Sequence, residues 1–161
     1  MTTDTSAADR LTLDQQVCFT LAVAAREVVS LYRPILEPLG LTHPQYLVMI
    51  TLWEADKPVS IKELTKRVML EAPTLSPLLK RLETAGLVER HRDPSDERLL
   101  QVSLTDRGRS LRTEAAGVPT AIIDRLGMTI LELETLQDVL TGVIVHAKAQ
   151  EQSPAEPPTR G

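Results

Sequence analysis

Cysteine and long hydrophobic runs are both scarce in this chain, and each scarcity removes a class of function. Cys18 is the only thiol among 161 residues, so neither an internal disulfide nor a thiolate metal cluster can form. His43, His91 and His146 lie too far apart in sequence to give a metal-ligand spacing, and no cofactor is expected. No apolar run approaches membrane-spanning length. The polar start MTTDTSAADR lacks the basic and apolar regions of a secretory signal, so the expected address is the cytoplasm, with no membrane partner. Any redox chemistry must run through one thiol, a second subunit or a small partner molecule.

An excess of positive charge is also missing, since the formal net charge is −4. The distribution matters more than the total. From Lys57 to Arg112 there are 12 Lys and Arg against 8 Asp and Glu, a local balance of +4, which leaves −8 for the remainder. An acidic body holding a basic module is compatible with phosphate contact over that module alone.

What is present is helical periodicity interrupted once. From Leu13 the positions Val17, Leu21, Ala24, Val28, Leu31 and Ile35 form one apolar stripe, and Cys18, Ala22, Ala25, Val29 and Tyr32 form a second beside it. A first helix with two apolar surfaces has both its own core and another chain to meet. Pro38 and Gly40 end it. Thr42, Pro44 and Gln45 open a second helix that runs to Asp56, and Ser60 with Glu63 opens a third from Ile61 to about Val68. A further helix begins near Pro73, turns Leu75, Leu78, Leu79 and Leu82 inward, and ends at Gly86; Pro77 is tolerable there if it falls in the first turn.

Segments 87–92 and 99–104 read as two strands around the polar turn Asp93 to Glu97. Thr105 then starts a helix to about Ala116, a short one covers Thr120 to Leu126 after Gly117 and Pro119, and Thr129 with Glu132 caps a last one to about Lys148. The expected fold is mainly α with a small β-hairpin wing, a winged helix-turn-helix dimerised through its N- and C-terminal helices. The expected divisions are a flexible N-terminus (1–12), dimerisation and sensor helices (13–56), a DNA-binding region (57–112), C-terminal dimerisation helices (113–149) and a flexible tail (150–161).

Two short helices and a hairpin in that order point to duplex DNA. On the helix from Pro73, Thr74, Ser76, Lys80 and Arg81 face away from the leucines; the hydroxyls suit base edges and the cations suit phosphate. Arg98 follows an acidic wing tip and suits a minor groove, with Asp96 or Glu97 to orient it. Arg90 and Arg92 are secondary phosphate candidates. Trp53 and His146 carry no signal beyond helix packing, and a lone cysteine is as readily a small buried hydrophobe as a reactive thiol.

Across nearly its whole length the chain resembles the MarR family of dimeric winged-helix regulators, and within it the organic hydroperoxide resistance regulators of the one-cysteine type. The resemblance rests on Leu13-Asp14-Gln15-Gln16-Val17-Cys18-Phe19, Tyr32-Arg33-Pro34-Ile35-Leu36 and Leu41 to Leu47. In the reader it rests on Thr74 to Glu83, Asp96-Glu97-Arg98 and Val102-Ser103-Leu104-Thr105. It implies a repressor that binds an operator, an inverted repeat, as a homodimer, with Cys18 as the redox sensor and Tyr32 and His43 as hydrogen-bond partners. An organic hydroperoxide would oxidise Cys18 and a low-molecular-weight thiol would resolve it. The family carries tyrosines where this chain has His43 and Ala22, and Asp-Ser-Gly where it has Glu71-Ala72-Pro73. Tyr32 stands 14 residues beyond Cys18 in one helical pattern, about 21 Å away, so their contact must cross between subunits. The alternative is a repressor of the same family relieved by a small aromatic or phenolic ligand, with no cysteine chemistry.

Overall fold

The computed structural model describes residues 12, 13 and 16–152. The flexible N-terminus and tail expected from sequence fall largely outside these residues. Seven helices and three strands follow one another among the described residues: α1 (Val17–Leu36), α2 (His43–Ala55), β1 (Val59–Ser60), α3 (Ile61–Val68), α4 (Ala72–Thr84), β2 (Val88–Arg92), β3 (Leu100–Leu104), α5 (Asp106–Ala115), α6 (Val118–Leu126) and α7 (Ile130–Gln152). The chain divides into two units, one up to Ile122 and one from Ile123 onward. No helix among the described residues is long and apolar enough to cross a membrane.

In the first unit the local signals act as their chemistry requires. Thr42 and Gln45 complete a capping box at the start of α2, with the Thr42 N–H donating to Gln45 Oε1 at 2.9 Å. The Ser60 hydroxyl accepts the Glu63 N–H at 3.1 Å, and that of Thr105 accepts the Gly108 N–H at 3.0 Å. Helices α2, α3 and α4 and the sheet then close one core. Val48, Met49, Leu52, Leu64, Leu75, Leu79, Leu82, Val88 and Val102 are all 1% exposed or less. Burying each of these side chains contributes about 1.5–3 kcal/mol, which holds the short helices of the reader in place.

Several sequence expectations shift. The wing sheet has three strands, because Val59 and Ser60 pair antiparallel with Val102 and Gln101; its order is β1-β3-β2. A two-residue strand made by a long-range partner has no periodicity to reveal it. Helix α1 begins at Val17, later than Leu13, and passes at Leu36 into a 3₁₀ turn (Glu37–Leu39) that Gly40 ends at φ 67°. Pro77 is the sixth residue of α4, beyond the first turn, and withholds the helical donor from the Pro73 carbonyl. Helix α6 begins at Val118 and carries Pro119 in its first turn, where a missing N–H has no cost.

The second unit is dominated by α7, 23 residues long. Thr129 and Glu132 cap it reciprocally, with the Thr129 N–H donating to Glu132 at 2.8 Å and the Glu132 N–H donating to Thr129 Oγ1 at 3.2 Å. The bonds that the Glu132 carboxylate accepts, first from the Thr129 N–H and then from the Thr129 hydroxyl at 2.8 Å, hold it below its ordinary value. The helix continues to Gln152, so residues 150–152 are helical and not part of a tail. It exposes Leu131, Leu136, Val139, Val143, Ile144 and Val145.

Candidate functional site

The outer face of α4 presents two hydroxyls and two cations to solvent. Leu75, Leu79 and Leu82 anchor the helix from within, and the same turns leave Thr74, Ser76, Lys80 and Arg81 exposed on its other side. Pro77, Lys80, Arg81, Thr84 and Ala85 border a shallow depression there. The wing supplies a second edge, where Arg98 is exposed just beyond the turn.

The remaining wing residues are tied into the scaffold. Arg90 Nε and Nη2 both donate to one oxygen of Glu83, at 3.0 and 2.6 Å, and its main-chain N–H donates to the other at 3.2 Å. The guanidinium beside it holds Glu83 below the usual carboxylate range. This pair clamps β2 to the end of α4, so Arg90 has a partner within the reader that its sequence position did not reveal. Arg92 Nη1 donates to the Glu97 carbonyl at 3.0 Å and closes the turn. Asp96 accepts the main-chain N–H of Arg98 at 3.1 Å, supporting the backbone under that arginine.

Asp93 organises the tip. It accepts from the Ser95 N–H (2.7 Å), the Ser95 hydroxyl (2.6 Å) and Gln101 Nε2, and the two bonds from Ser95, the hydroxyl's first, hold its carboxyl low. The bond from the Ser95 N–H makes an Asx turn within the segment whose sequence reads as a polar turn. Glu83 was not visible, because its partner lies seven residues away across a chain reversal.

The thiol region is separate. Cys18 is exposed at the second position of α1, flanked by Val17 at 71% and Phe19 at 41% exposure. Tyr32 and His43 come together at the opposite end of α1, with ring centroids 4.7 Å apart. Tyr46 stands 6.1 Å from Tyr32, and Trp53 stands 6.4 Å from Tyr46 at an edge-on 67°. Burial pushes the Tyr32 phenol up and the His43 imidazole down from their ordinary values. Tyr46 is raised by burial and, secondarily, by its neighbour Tyr32. Both Tyr32 and His43 are therefore uncharged at neutral pH, and each offers one hydrogen-bond donor.

Because α1 is continuous from Val17 to Leu36, Cys18 lies about 21 Å along the same helix from Tyr32. One chain does not bring the thiol and these donors together. Beside the donor cluster, Arg26, Val29, Ser30, Arg33, Glu37 and His43 line part of an open groove of about 840 Å³. Among the described residues no group of three or more His, Cys, Asp or Glu is placed to hold a metal ion.

The chain as a whole is similar to known proteins. The family of SarA/Rot transcriptional regulators matches residues 30–114. The HTH-type transcriptional regulator TtmR of Methylorubrum extorquens is 42% identical over 143 residues, covering 88% of this chain and 73% of that protein. The organic hydroperoxide resistance transcriptional regulator of Bacillus subtilis is 36% identical over 132 residues, covering 82% and 89%. AbfR, a Staphylococcus epidermidis protein, has been solved bound to DNA in reduced and in overoxidized form. Both DNA-bound structures are 32% identical, cover 88% of this chain and 99% of theirs, and superpose with a TM-score of 0.71.

Proposed function

This chain belongs to the MarR family of winged helix-turn-helix transcriptional regulators, which bind operator DNA as dimers, and we propose that it is a repressor that senses organic hydroperoxides through oxidation of Cys18. One observation carries the reading. An unbroken α1 holds an exposed thiol at one end and Tyr32 at the other, where His43 at the start of α2 stands beside it as a second neutral donor. A second copy laid antiparallel brings each thiol to the other subunit's donors. Sensing is then built into the dimer, and the thiol's state bears on the spacing of the two readers.

In the operator complex, the N-terminal half of α4 enters the major groove. Thr74 and Ser76 reach base edges, and Lys80 and Arg81 meet phosphate. Arg98 enters a minor groove from the wing, its backbone supported by Asp96, and Arg92 supplies a phosphate contact at the wing's edge. Arg90 stiffens the wing through Glu83 and reaches phosphate only as a secondary contact. Two-fold symmetry of the dimer calls for an inverted repeat.

For sensing, the Cys18 thiolate attacks the distal oxygen of the hydroperoxide. The S–O bond forms as the O–O bond breaks; sulfur gives two electrons, and the departing alkoxide takes a proton and leaves as the alcohol. Val17 and Phe19 beside the thiol favour an alkyl peroxide over a polar oxidant. With no second cysteine in the chain, a low-molecular-weight thiol attacks the sulfenic sulfur; an S–S bond replaces S–O and water departs. The related AbfR is known on DNA even when overoxidized, which favours the bulkier mixed disulfide as the releasing species. Forcing that adduct into a packed interface costs about 1–3 kcal/mol, enough to bias a dimer with two arrangements.

The test measures operator affinity for wild type and Cys18→Ser, before and after cumene hydroperoxide with a small thiol. Release by wild type alone is expected, and equal release by both proteins would sink the proposal. A groove lined by Arg26, Arg33 and His43 favours a second reading, relief by a small aromatic or phenolic ligand. Release by such a ligand alone, with Cys18→Ser unimpaired, would establish that reading instead.

A further inference from the structure

Trp53 is the only tryptophan of the chain and is 6% exposed. Packing alone would account for its burial, but not for its hydrogen bonds. Its indole Nε1 donates to the Gly108 carbonyl at 2.8 Å, a buried bond spanning 55 residues. Arg112 Nη1 reaches back from α5 to the Trp53 carbonyl at 3.2 Å. Helices α2 and α5 are thereby bonded in both directions at one residue.

Trp53 also stands between two clusters. On one side its ring meets Tyr46, whose ring meets Tyr32, which meets His43. On the other side Gly108 donates its N–H to Thr105 Oγ1, and the Thr105 hydroxyl donates to the Gly86 carbonyl at 2.6 Å. The Thr105 N–H donates to the Leu87 carbonyl at 3.1 Å, and Arg107 Nη1 donates to the Ala85 carbonyl at 3.2 Å. Residues 85–87 are the connection between α4 and the first long wing strand. A contiguous set of contacts therefore joins the donor cluster to the hinge between the recognition helix and the wing.

We infer that Trp53 is a positioning residue that couples the Tyr32 cluster to the angle between α4 and the wing. The inference rests on the thiol-sensing reading, because modification of Cys18 is what displaces Tyr32. Tyr46 and Trp53 are buried, and close-packed side chains do not move singly, so a shift of the half-buried Tyr32 against Tyr46 passes to the Trp53 ring. Breaking a buried N–H···O bond leaves two polar groups unsatisfied, so the start of α5 follows the indole. Residues 85–87 are tied to that start and change the wing's reach with it.

Trp53→Phe keeps a ring against Tyr46 and removes only the indole donor. The reduced variant dimer should bind operator within about threefold of wild type, whereas a coupling of the usual size, roughly 5- to 150-fold, should collapse to a few-fold once Cys18 carries its mixed disulfide. Intact mass confirms that both proteins are modified equally. Equal loss of affinity in both would overturn the inference and leave the sensor standing. A second measurement covers a variant that fails to fold, because Trp53 emission reports on wild type directly. Its maximum or intensity should change when Cys18 is modified, should not change in peroxide-treated Cys18→Ser, and should be unresponsive in modified Tyr46→Leu. Unchanged emission from modified wild type that has released DNA would likewise overturn the coupling. Wild type that is modified and stays on DNA would remove the sensing reading, and the coupling with it.

Discussion

The reader and the first helix solve opposite problems with similar residues. Within the reader, α3, α4 and the sheet hide their large aliphatic side chains almost completely against α2, down to 0% exposure at Leu64, Leu75 and Leu82. Helix α1 runs 20 residues and buries only Leu36, while Val17, Phe19 and Val29 stay at 40% exposure or more. Apolar periodicity marks α1 as it marks α3 and α4. What differs is whether the chain supplies the opposing surface itself. A stripe matched within one chain builds a scaffold, and one left unmatched builds an interface.

Leu79→Ala should produce the largest effect, a loss of about 2–5 kcal/mol in unfolding free energy by denaturant titration, because it empties a closed core. A loss below 1 kcal/mol would show the reader less tightly packed than its burial implies. Phe19→Asp tests the other side of the comparison. It should weaken dimerisation in sedimentation experiments by about 2 kcal/mol, as expected for a central interface position, and leave the monomer's helical content intact. If the dimer persists unchanged, α1 does not form the interface.

Lys80→Ala should weaken binding to all duplexes alike and reduce the salt slope of operator binding by about one, which fluorescence anisotropy across salt concentrations would show. The smallest effect concerns the wing clamp. Arg90 holds Glu83 below its ordinary value of 4.5, so the clamp's contribution is complete above that pH and is lost as pH falls through the lower value held in the fold. Glu83→Gln should flatten the acid side of the stability profile, and an unaltered acid limb would show the clamp to be energetically idle.

Short-range chemistry made much of this molecule legible from its sequence. Thr42 with Gln45 and Thr129 with Glu132 announce their helices because a cap is satisfied within four residues. The leucines of α4 fixed which side of the recognition helix remained for Thr74, Ser76, Lys80 and Arg81. Features decided by distant partners were silent: the pairing of Val59 with Val102, the Glu83 clamp on Arg90, and the bond from Trp53 to Gly108. Trp53 in particular looks like any packing aromatic until its indole N–H is given an address. The thiol site was legible only in part: helical distance separates Cys18 from Tyr32, and only the family resemblance put Tyr32 and His43 at one site, where their rings stand 4.7 Å apart.

Gly108 sets a rule about sequences that this one chain cannot display. A Cβ on it would lie 2.0 Å from the Leu87 carbonyl oxygen, a distance that no backbone can accommodate without moving. In an alignment of chains that keep α5 pressed against the start of the wing, this column should hold glycine throughout. A relative with any other residue there marks a place where the helix has drawn away from the strand, and where the route from Trp53 to the hinge has been rebuilt or lost.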